Sequence, residues 1–317
     1  MKKGKLVIAI TSLILLLAIG CLCVVYFVTN EKYAKVIVTT FPVYDIAREL
    51  LGSDEELILL QSGGGDLHNF EPNAQEIIAI GNCELLIAIG GDSDNRWLDK
   101  TIESSENTDI KLLKLIDCVD KVHIGEDGTI CHDEHNHKHD EESFDEHIWL
   151  SVKNAIKMTT AIKENLLKVF PELTKLIEKN YNSYLTKLTN LEKEYMETLS
   201  GLGKEIIVAD RFPFAYLMND YNLDYLALFP SCSTDANASS EAIAKMIDNI
   251  NEKNAKSIYI LESTKDTVAK NIVNGCANQD IEILRLNSCQ TISEKNIKNS
   301  HYIDIMKENL DNLKKAK

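Results

Sequence analysis

From Pro171 to about Leu199, apolar residues recur at spacings of three and four: Leu173, Leu176, Ile177, Tyr181, Tyr184, Leu185, Leu188, Leu191, Tyr195 and Leu199. No glycine or further proline interrupts the stretch, and Gly201 and Gly203 follow it. The periodicity predicts one amphipathic helix of roughly 28 residues, about 42 Å long. That is too long for an ordinary crossover between neighbouring strands. Such a helix either joins two bodies of the same chain or pairs with a second copy as a coiled coil.

The segments on either side favour two bodies. Before the helix, Lys35 to Thr40, Leu57 to Leu60 and Leu85 to Ile89 read as strands, the last apolar throughout as a strand buried on both faces would be, with helical patterns at Val43 to Leu51 and about Asn73 to Ile80. After it the alternation restarts, with strands at Glu205 to Ala209, Leu223 to Leu228, Ser257 to Leu261 and Ile281 to Leu286 and a helix at Ser239 to Asn251. The expected fold class is α/β, two Rossmann-like lobes with parallel sheets joined by one long rigid helix. The boundaries are 35–170 for the first lobe, with a loop at 123–146, then 171–200 for the helix and 204–317 for the second lobe. Ligands of paired sheets of this kind sit at the carboxyl ends of strands, in the crevice between the lobes.

Residues 1–30 stand apart. Lys2, Lys3 and Lys5 precede an apolar run from Leu6 to Val28 whose only polar members are Thr11 and Ser12. As a helix the run would reach roughly 35 Å, enough to cross a hydrocarbon core of about 30 Å, whereas the apolar part of a cleaved signal is usually only about 7–15 residues. The lysines orient the N-terminus inward and the remainder outside. The run reads as a signal anchor; alternatively, Ala18-Ile19-Gly20-Cys21 reads as a lipoprotein cleavage box with lipid on Cys21, or the chain is secreted freely. In every case the folded part lies outside the cell membrane, at its extracytoplasmic face where it is anchored.

With 34 Lys and Arg against 49 Asp and Glu, the chain carries a formal charge of −15. An acidic surface repels phosphate backbones, so nucleic acid is excluded as a partner and a cation suits the chain better. Of the cysteines beyond the N-terminal run, Cys83, Cys118, Cys131, Cys232, Cys276 and Cys289, none forms a CxxC pair. An oxidising compartment permits disulfides, with one bond within each half as the expectation and small buried thiols as the alternative.

Histidine is sparse but clustered. Between Cys131 and Glu142 the imidazoles of His132, His135, His137 and His139 alternate with carboxylates. No core can form from such residues, and a loop is expected there that attracts and exchanges Zn²⁺ or a neighbouring first-row cation. His68 and His147 differ in setting. His68 closes the turn Gly63-Gly64-Gly65-Asp66-Leu67-His68 after the second strand, and His147 precedes the apolar Ile148-Trp149-Leu150. Taken singly, each is as much a structural histidine as a ligand. The glycine run lacks the Gly-Lys-Ser/Thr ending of a phosphate loop.

Several of these pieces together resemble the metal-binding extracytoplasmic solute-binding proteins of bacterial zinc and manganese ABC importers. They are Thr40-Phe41-Pro42-Val43-Tyr44-Asp45, Leu67-His68-Asn69-Phe70-Glu71-Pro72, Gly90-Gly91-Asp92 to Trp97-Leu98-Asp99-Lys100, the acidic His loop, Asp145-Glu146-His147-Ile148-Trp149-Leu150, the long helix, and Tyr302-Ile303-Asp304-Ile305-Met306-Lys307-Glu308-Asn309-Leu310. The resemblance runs from about Val36 to the C-terminus and implies one metal in the interlobe cleft. By it, the first two ligands fall on His68 and His147. The third falls on Arg211, which stays protonated and cannot ligate a cation, so Asp210 beside it is the expected substitute. The fourth falls on Asn287, a weak donor, and Glu262 at the end of its strand is a further candidate, with an ion pair to Arg211 as its alternative role.

The resemblance therefore implies a monomeric receptor, not an enzyme, that captures Zn²⁺, with Mn²⁺ as the alternative ligand, and passes it to an ABC permease. The long helix limits the hinge to small tilts. A surface metal buffer or adhesin on the same fold, and a zinc hydrolase with Glu262 as base, are the rival readings; no HExxH helix supports the hydrolase.

Overall fold

The computed structural model describes residues 34–60, 67–105, 107, 109–125, 129–130, 144–203, 205–229, 232 and 238–316. The apolar N-terminal run, Cys131 and the histidines at 132, 135, 137 and 139 lie outside these residues, and so does what was expected of them. Among the described residues, no helix is long and apolar enough to cross a membrane.

The first sheet is made of β1 (Val36–Val38), β2 (Leu57–Leu59), β3 (Leu85–Ala88) and β4 (Lys111–Lys114), all parallel, in the order β2-β1-β3-β4. The second repeats that order as β6-β5-β7-β8 from β5 (Ile206–Val208), β6 (Tyr225–Ala227), β7 (Ser257–Leu261) and β8 (Glu282–Leu286). The central strands are buried on both faces, which is why β1, β3, β5 and β7 are apolar almost without a break. Edge strand β4, Lys-Leu-Leu-Lys, is bracketed by charge and escapes a search for apolar runs.

In the first lobe the helices are α1 (Phe41–Leu51), α2 (Ala74–Asn82), α3 (Asp92–Asn95), α4 (Leu98–Ser104) and α5 (Val152–Val169). Local chemistry sets several of their ends. Asn73 accepts from the backbone N–H groups of Gln75 and Glu76 while Glu76 reaches back to the Asn73 N–H, a capping box that starts α2. The Ser151 hydroxyl accepts from Asn154 N–H at the start of α5, and Gly52 ends α1 in the left-handed conformation, φ 73°.

The joining helix, α6 (Thr174–Leu199), has 26 residues, preceded by a 3-10 turn at Pro171–Leu173. Its stripe of Ile177, Tyr184, Leu188, Leu191, Tyr195 and Leu199 is buried within the chain, against α1, α5 and the last helix, so no second copy is needed to cover it. The second lobe adds α7 (Ala215–Tyr221), α8 (Ser240–Lys253), α9 (Thr267–Gly275), α10 (Glu294–Ile297) and α11 (Tyr302–Leu313).

One apolar core continues from Val36 and Val38 through Leu188 and Tyr195 to Val208 and Leu286, so the two lobes share their interior. Polar ties reinforce the junction: Trp149 Nε1 donates to the Ser288 carbonyl at 2.8 Å, Tyr302 Oη to the Trp149 carbonyl at 2.6 Å, and Tyr195 Oη to the Met306 carbonyl at 2.7 Å.

Among the described residues the expected disulfides are not formed. Cys83, Cys118, Cys232, Cys276 and Cys289 are free thiols, four of them buried, and three of these sit in apolar clusters as small hydrophobic residues.

Candidate metal centre

Residues that follow strands of both sheets, His68 after β2 and Cys232 after β6, meet His147 in one crevice between the lobes. His68 enters it from a 3-10 turn, Leu67–Asn69, that follows β2. His147 enters from the start of the turn Ile148–Leu150, fixed by fully buried Trp149 and its tie to Ser288. The imidazole rings lie edge to face with centroids 5.2 Å apart.

Each ring is held from behind by an acid. Asp145 Oδ1 lies 2.9 Å from His147 Nδ1 and also accepts from the His147 backbone N–H at 2.6 Å. Glu146 Oε1 lies 2.8 Å from His68 Nδ1, while Glu146 Oε2 accepts from Ser93 N–H at 3.1 Å and Ser93 Oγ donates to Oε1. Carboxylates on Nδ1 fix the tautomer that leaves Nε2 as the donor atom, the arrangement common behind metal-bound histidines. His147 Nε2 is buried and makes no hydrogen bond among the described residues.

Glycine allows this approach. A Cβ on Gly91 would fall 2.5 Å from Glu146 Cβ, so the glycine pair after β3 is what admits the carboxylate to His68. Asp94 braces the same loop, accepting from Gly90 N–H at 3.0 Å.

The third group comes from the second lobe. Cys232 follows β6 and is buried, and its Sγ together with one nitrogen of His68 and one of His147 forms a set of donor atoms within 4.8 Å of one another. Donors this close can converge on one ion at bond lengths of about 2.0–2.3 Å. Gln290 Nε2 donates to the sulfur at 3.8 Å. A cavity of about 110 Å³ opens beside it, with Arg211, Glu262, Ser263 and Thr291 also in its walls.

The electrostatics of the trio follow from its geometry. Burial pushes the Cys232 thiol up, but the adjoining His147 and His68 overcome this and bring it down to about 6. Burial likewise opposes charge on His68, which hydrogen bonding to Cys232 and Glu146 nonetheless raises to about 9. For His147, the Asp145 carboxylate and the Cys232 sulfur outweigh burial and lift it well above its ordinary value. Glu146, which burial would raise, is held at about 2, chiefly by its hydrogen bond to His68. Protons thus reside on the rings and negative charge on the sulfur and carboxylates, a set of charges that a divalent cation can replace.

The other sequence candidates are placed elsewhere. The Asp210 carboxylate is buried and turned back onto the backbone, accepting from Arg211 N–H at 2.8 Å and Leu261 N–H at 2.9 Å, so it splices the ends of β5 and β7. Glu262 lines the cavity, but its oxygens accept from Ser288 N–H, Ser288 Oγ and Thr291 Oγ1 at 2.7–2.9 Å. Asn287 Oδ1 accepts from Cys289 N–H at 2.8 Å. Among the described residues, no ion pair joins Arg211 to Glu262.

Cys232 is the residue the sequence reading passed over, taken only as half of a disulfide or as a buried thiol. Its signal was positional. It follows the second strand of the second lobe as His68 follows the second strand of the first, and the identical strand order makes these equivalent places.

A second set of donors, Asp45, Glu49 and His301, also lies within 4.8 Å. Arg48 occupies it. Its guanidinium bonds Asp45 Oδ1, lies 3.4 Å from His301 Nδ1, and donates to the carbonyls of Ile297, Lys298 and Ser300 at 2.8–3.1 Å.

Comparison with known proteins agrees with this architecture. The family model described as zinc-uptake complex component A, periplasmic (ZnuA), matches residues 36–316. The zinc-binding lipoprotein AdcA of Streptococcus pneumoniae is 28% identical over 323 residues, covering 100% of this chain and 61% of AdcA, so this chain spans less than two thirds of that relative. A putative metal-binding protein of Treponema pallidum is 23% identical over 100% of this chain and 97% of its own length. Among solved structures, the metal-dependent lipoprotein YcdH of Bacillus subtilis superposes with a TM-score of 0.73 at 25% identity, covering 89% of this chain and 98% of YcdH. The Zn(II)-bound ZnuA-like domain of S. pneumoniae AdcA superposes with a TM-score of 0.71 at 24% identity, over 90% and 99% of the two chains. With nearly the whole described chain inside the family model, and two parallel-sheet lobes on a long helix as in those structures, the chain belongs to the family of periplasmic zinc-uptake component A.

Proposed function

We propose that the chain is an extracytoplasmic receptor that captures Zn²⁺ between its lobes and hands it to the permease of an ABC importer, without transforming it chemically. The observation that carries this is the pair His68 and His147, each with Nδ1 on a carboxylate, opening towards a buried donor of the opposite lobe. A metal held there links the lobes, and the shared core with α6 keeps the accompanying motion small.

The N-terminal run, as a signal anchor or through lipid on Cys21, would keep the receptor at the membrane, in keeping with a relative named as a lipoprotein. The acidic loop carrying His132, His135, His137 and His139 would concentrate cations near the cleft by electrostatic attraction. Glu262, the base a hydrolase would need, has its oxygens taken up by Ser288 and Thr291, which argues against the catalytic rival.

The test is zinc uptake from trace medium by cells whose only copy carries His68→Ala/His147→Ala. Uptake should fall to the level of a strain without the protein. Uptake that survives this change but is lost when residues 123–144 are deleted would make the chain a loop-based surface buffer instead.

A further inference from the structure

Resting on that cleft reading, we infer that Cys232 is a thiolate ligand of the captured ion, giving with His68 and His147 a nitrogen-nitrogen-sulfur site that accepts thiophilic divalent cations such as zinc and cadmium and rejects manganese. The sulfur is the donor that the second lobe brings within 4.8 Å of both imidazoles. It stands in the second sheet where His68 stands in the first, so the ion is gripped by equivalent loops of two like lobes.

The carboxylates that would make an oxygen-rich site are committed elsewhere. Asp145 and Glu146 face the Nδ1 atoms, Asp210 holds backbone N–H groups of Arg211 and Leu261, and Glu262 is taken up by Ser288 and Thr291. Behind the sulfur, Gln290 plays the part that the acids play behind the rings. A buried imidazole nitrogen with no hydrogen bond, as at His147 Nε2, is what a ligand atom looks like before its metal is considered.

The chemistry then decides the cation. Binding forms one bond to sulfur and two to nitrogen, and the protons held on the two ligating ring nitrogens pass to solvent. Thiolate and imidazole favour zinc and softer ions, whereas manganese prefers carboxylate, carbonyl and water and stands lowest in the affinity order of the divalent first-row ions. The cavity beside Cys232, about 110 Å³, is roomy enough for water to complete a four-coordinate shell.

Co²⁺ reports this directly, because thiolate ligation gives a near-ultraviolet sulfur-to-cobalt charge-transfer band and a tetrahedral shell gives strong visible bands. The full chain, purified in detergent, is titrated with Co²⁺ and then with Zn²⁺, Cd²⁺ and Mn²⁺ in competition. The charge-transfer band is expected at one equivalent, absent in Cys232→Ser and in His68→Ala/His147→Ala, and displaced by Zn²⁺ and Cd²⁺ but not by Mn²⁺. Cys232→Ser should weaken zinc binding by more than the roughly 10–100-fold typical of losing an outer-shell partner, and Cys232→Asp should narrow the zinc-over-manganese preference. If Co²⁺ binds in a manner that depends on His68 and His147 but gives no band, or if the band survives Cys232→Ser, the thiolate assignment is overturned while the cleft receptor stands. If no metal binding depends on His68 and His147, both are overturned.

Discussion

His68, His147 and Cys232 in one place, and Asp45, Glu49 and His301 in another, each draw three potential metal donors within 4.8 Å across the junction of the lobes. The second trio is the more acidic and by composition the better cation trap. Yet Arg48 already supplies its cation, bonded to Asp45 and to three carbonyls of the second lobe, and Asp45 Oδ2 also accepts from Tyr302 N–H at 2.7 Å. In the first trio the acids stand behind the rings and, among the described residues, no fixed cation joins the three donors. A metal site is thus marked by donor atoms left facing one another, while the same residue types with their valences filled form a structural knot.

Breaking each cluster in turn sharpens the contrast. The largest expected effect is on metal binding by His68→Ala/His147→Ala in the isolated protein. Removing two ligands should lower zinc affinity well beyond the roughly 100-fold upper range of outer-shell changes, whereas His301→Ala should leave it unaltered. Competition calorimetry against a chelator of known affinity distinguishes them, and an equal loss in His301→Ala would mean that the knot also holds metal.

Next in size, Arg48→Met strips the buried Asp45 carboxylate of its counter-charge; the Asp45 side chain is only 1% exposed. Removing one partner of a buried pair costs about 3–5 kcal/mol. A marked fall in melting temperature is expected, with zinc affinity of the folded protein unchanged. A melting temperature equal to that of the unaltered chain would show that the lobes are held by their apolar core alone.

How far these features are legible in the sequence differs between fold and site. The long helix, the central strands and the two lobes are written in apolar periodicity, because burial on one stripe or on both faces dictates which residues occur there. Edge strand β4 and helix α5 are not, since Lys111 and Lys114 bracket the one and half of the 18 residues of the other are polar. His68 and His147 stand out only through the resemblance, because each place taken singly suits a structural histidine as well as a ligand. Asp210 and Cys232 could not be ranked, because a carboxylate after a strand serves equally to splice two strand ends or to bind a metal. Only the backbone partners Arg211 and Leu261 decide which. Arg48 was equally opaque: its partners lie some 250 residues away in sequence.

The acid behind His68 offers a finer test. Glu146→Gln keeps the shape but removes the charge that orients His68 Nδ1, and should weaken zinc binding roughly 10–100-fold. The Glu146 side chain is 12% exposed against 1% for Asp45, so stability should fall less than in Arg48→Met. Equal zinc affinity in Glu146→Gln and the unaltered chain would mean that Ser93, 3.1 Å from His68 Nδ1, is enough to set the ring.

The smallest expected effect is the change in metal-free stability with pH, and its sign separates the two clusters from the metal. His68 is raised from 6.5 to about 9, so its contribution is complete below 6.5 and is lost as pH climbs through 9. Cys232 is lowered from 9.0 to about 6, so its contribution is present above 9 and is lost as pH falls through 6. Between these limits the two oppose each other, and His147, also raised, tilts the balance towards a shallow loss of stability with rising pH. Zinc affinity must run the other way, because the ion displaces the imidazole protons while the sulfur has already lost its own. With the two ring protons expelled, affinity should climb by up to about a hundredfold per pH unit between 6.5 and 9. A nearly level melting temperature beside a steep rise in affinity is the expected pair of curves. Affinity flat with pH would mean that the rings are already neutral in the free protein, and that the acids behind them orient without holding a charge.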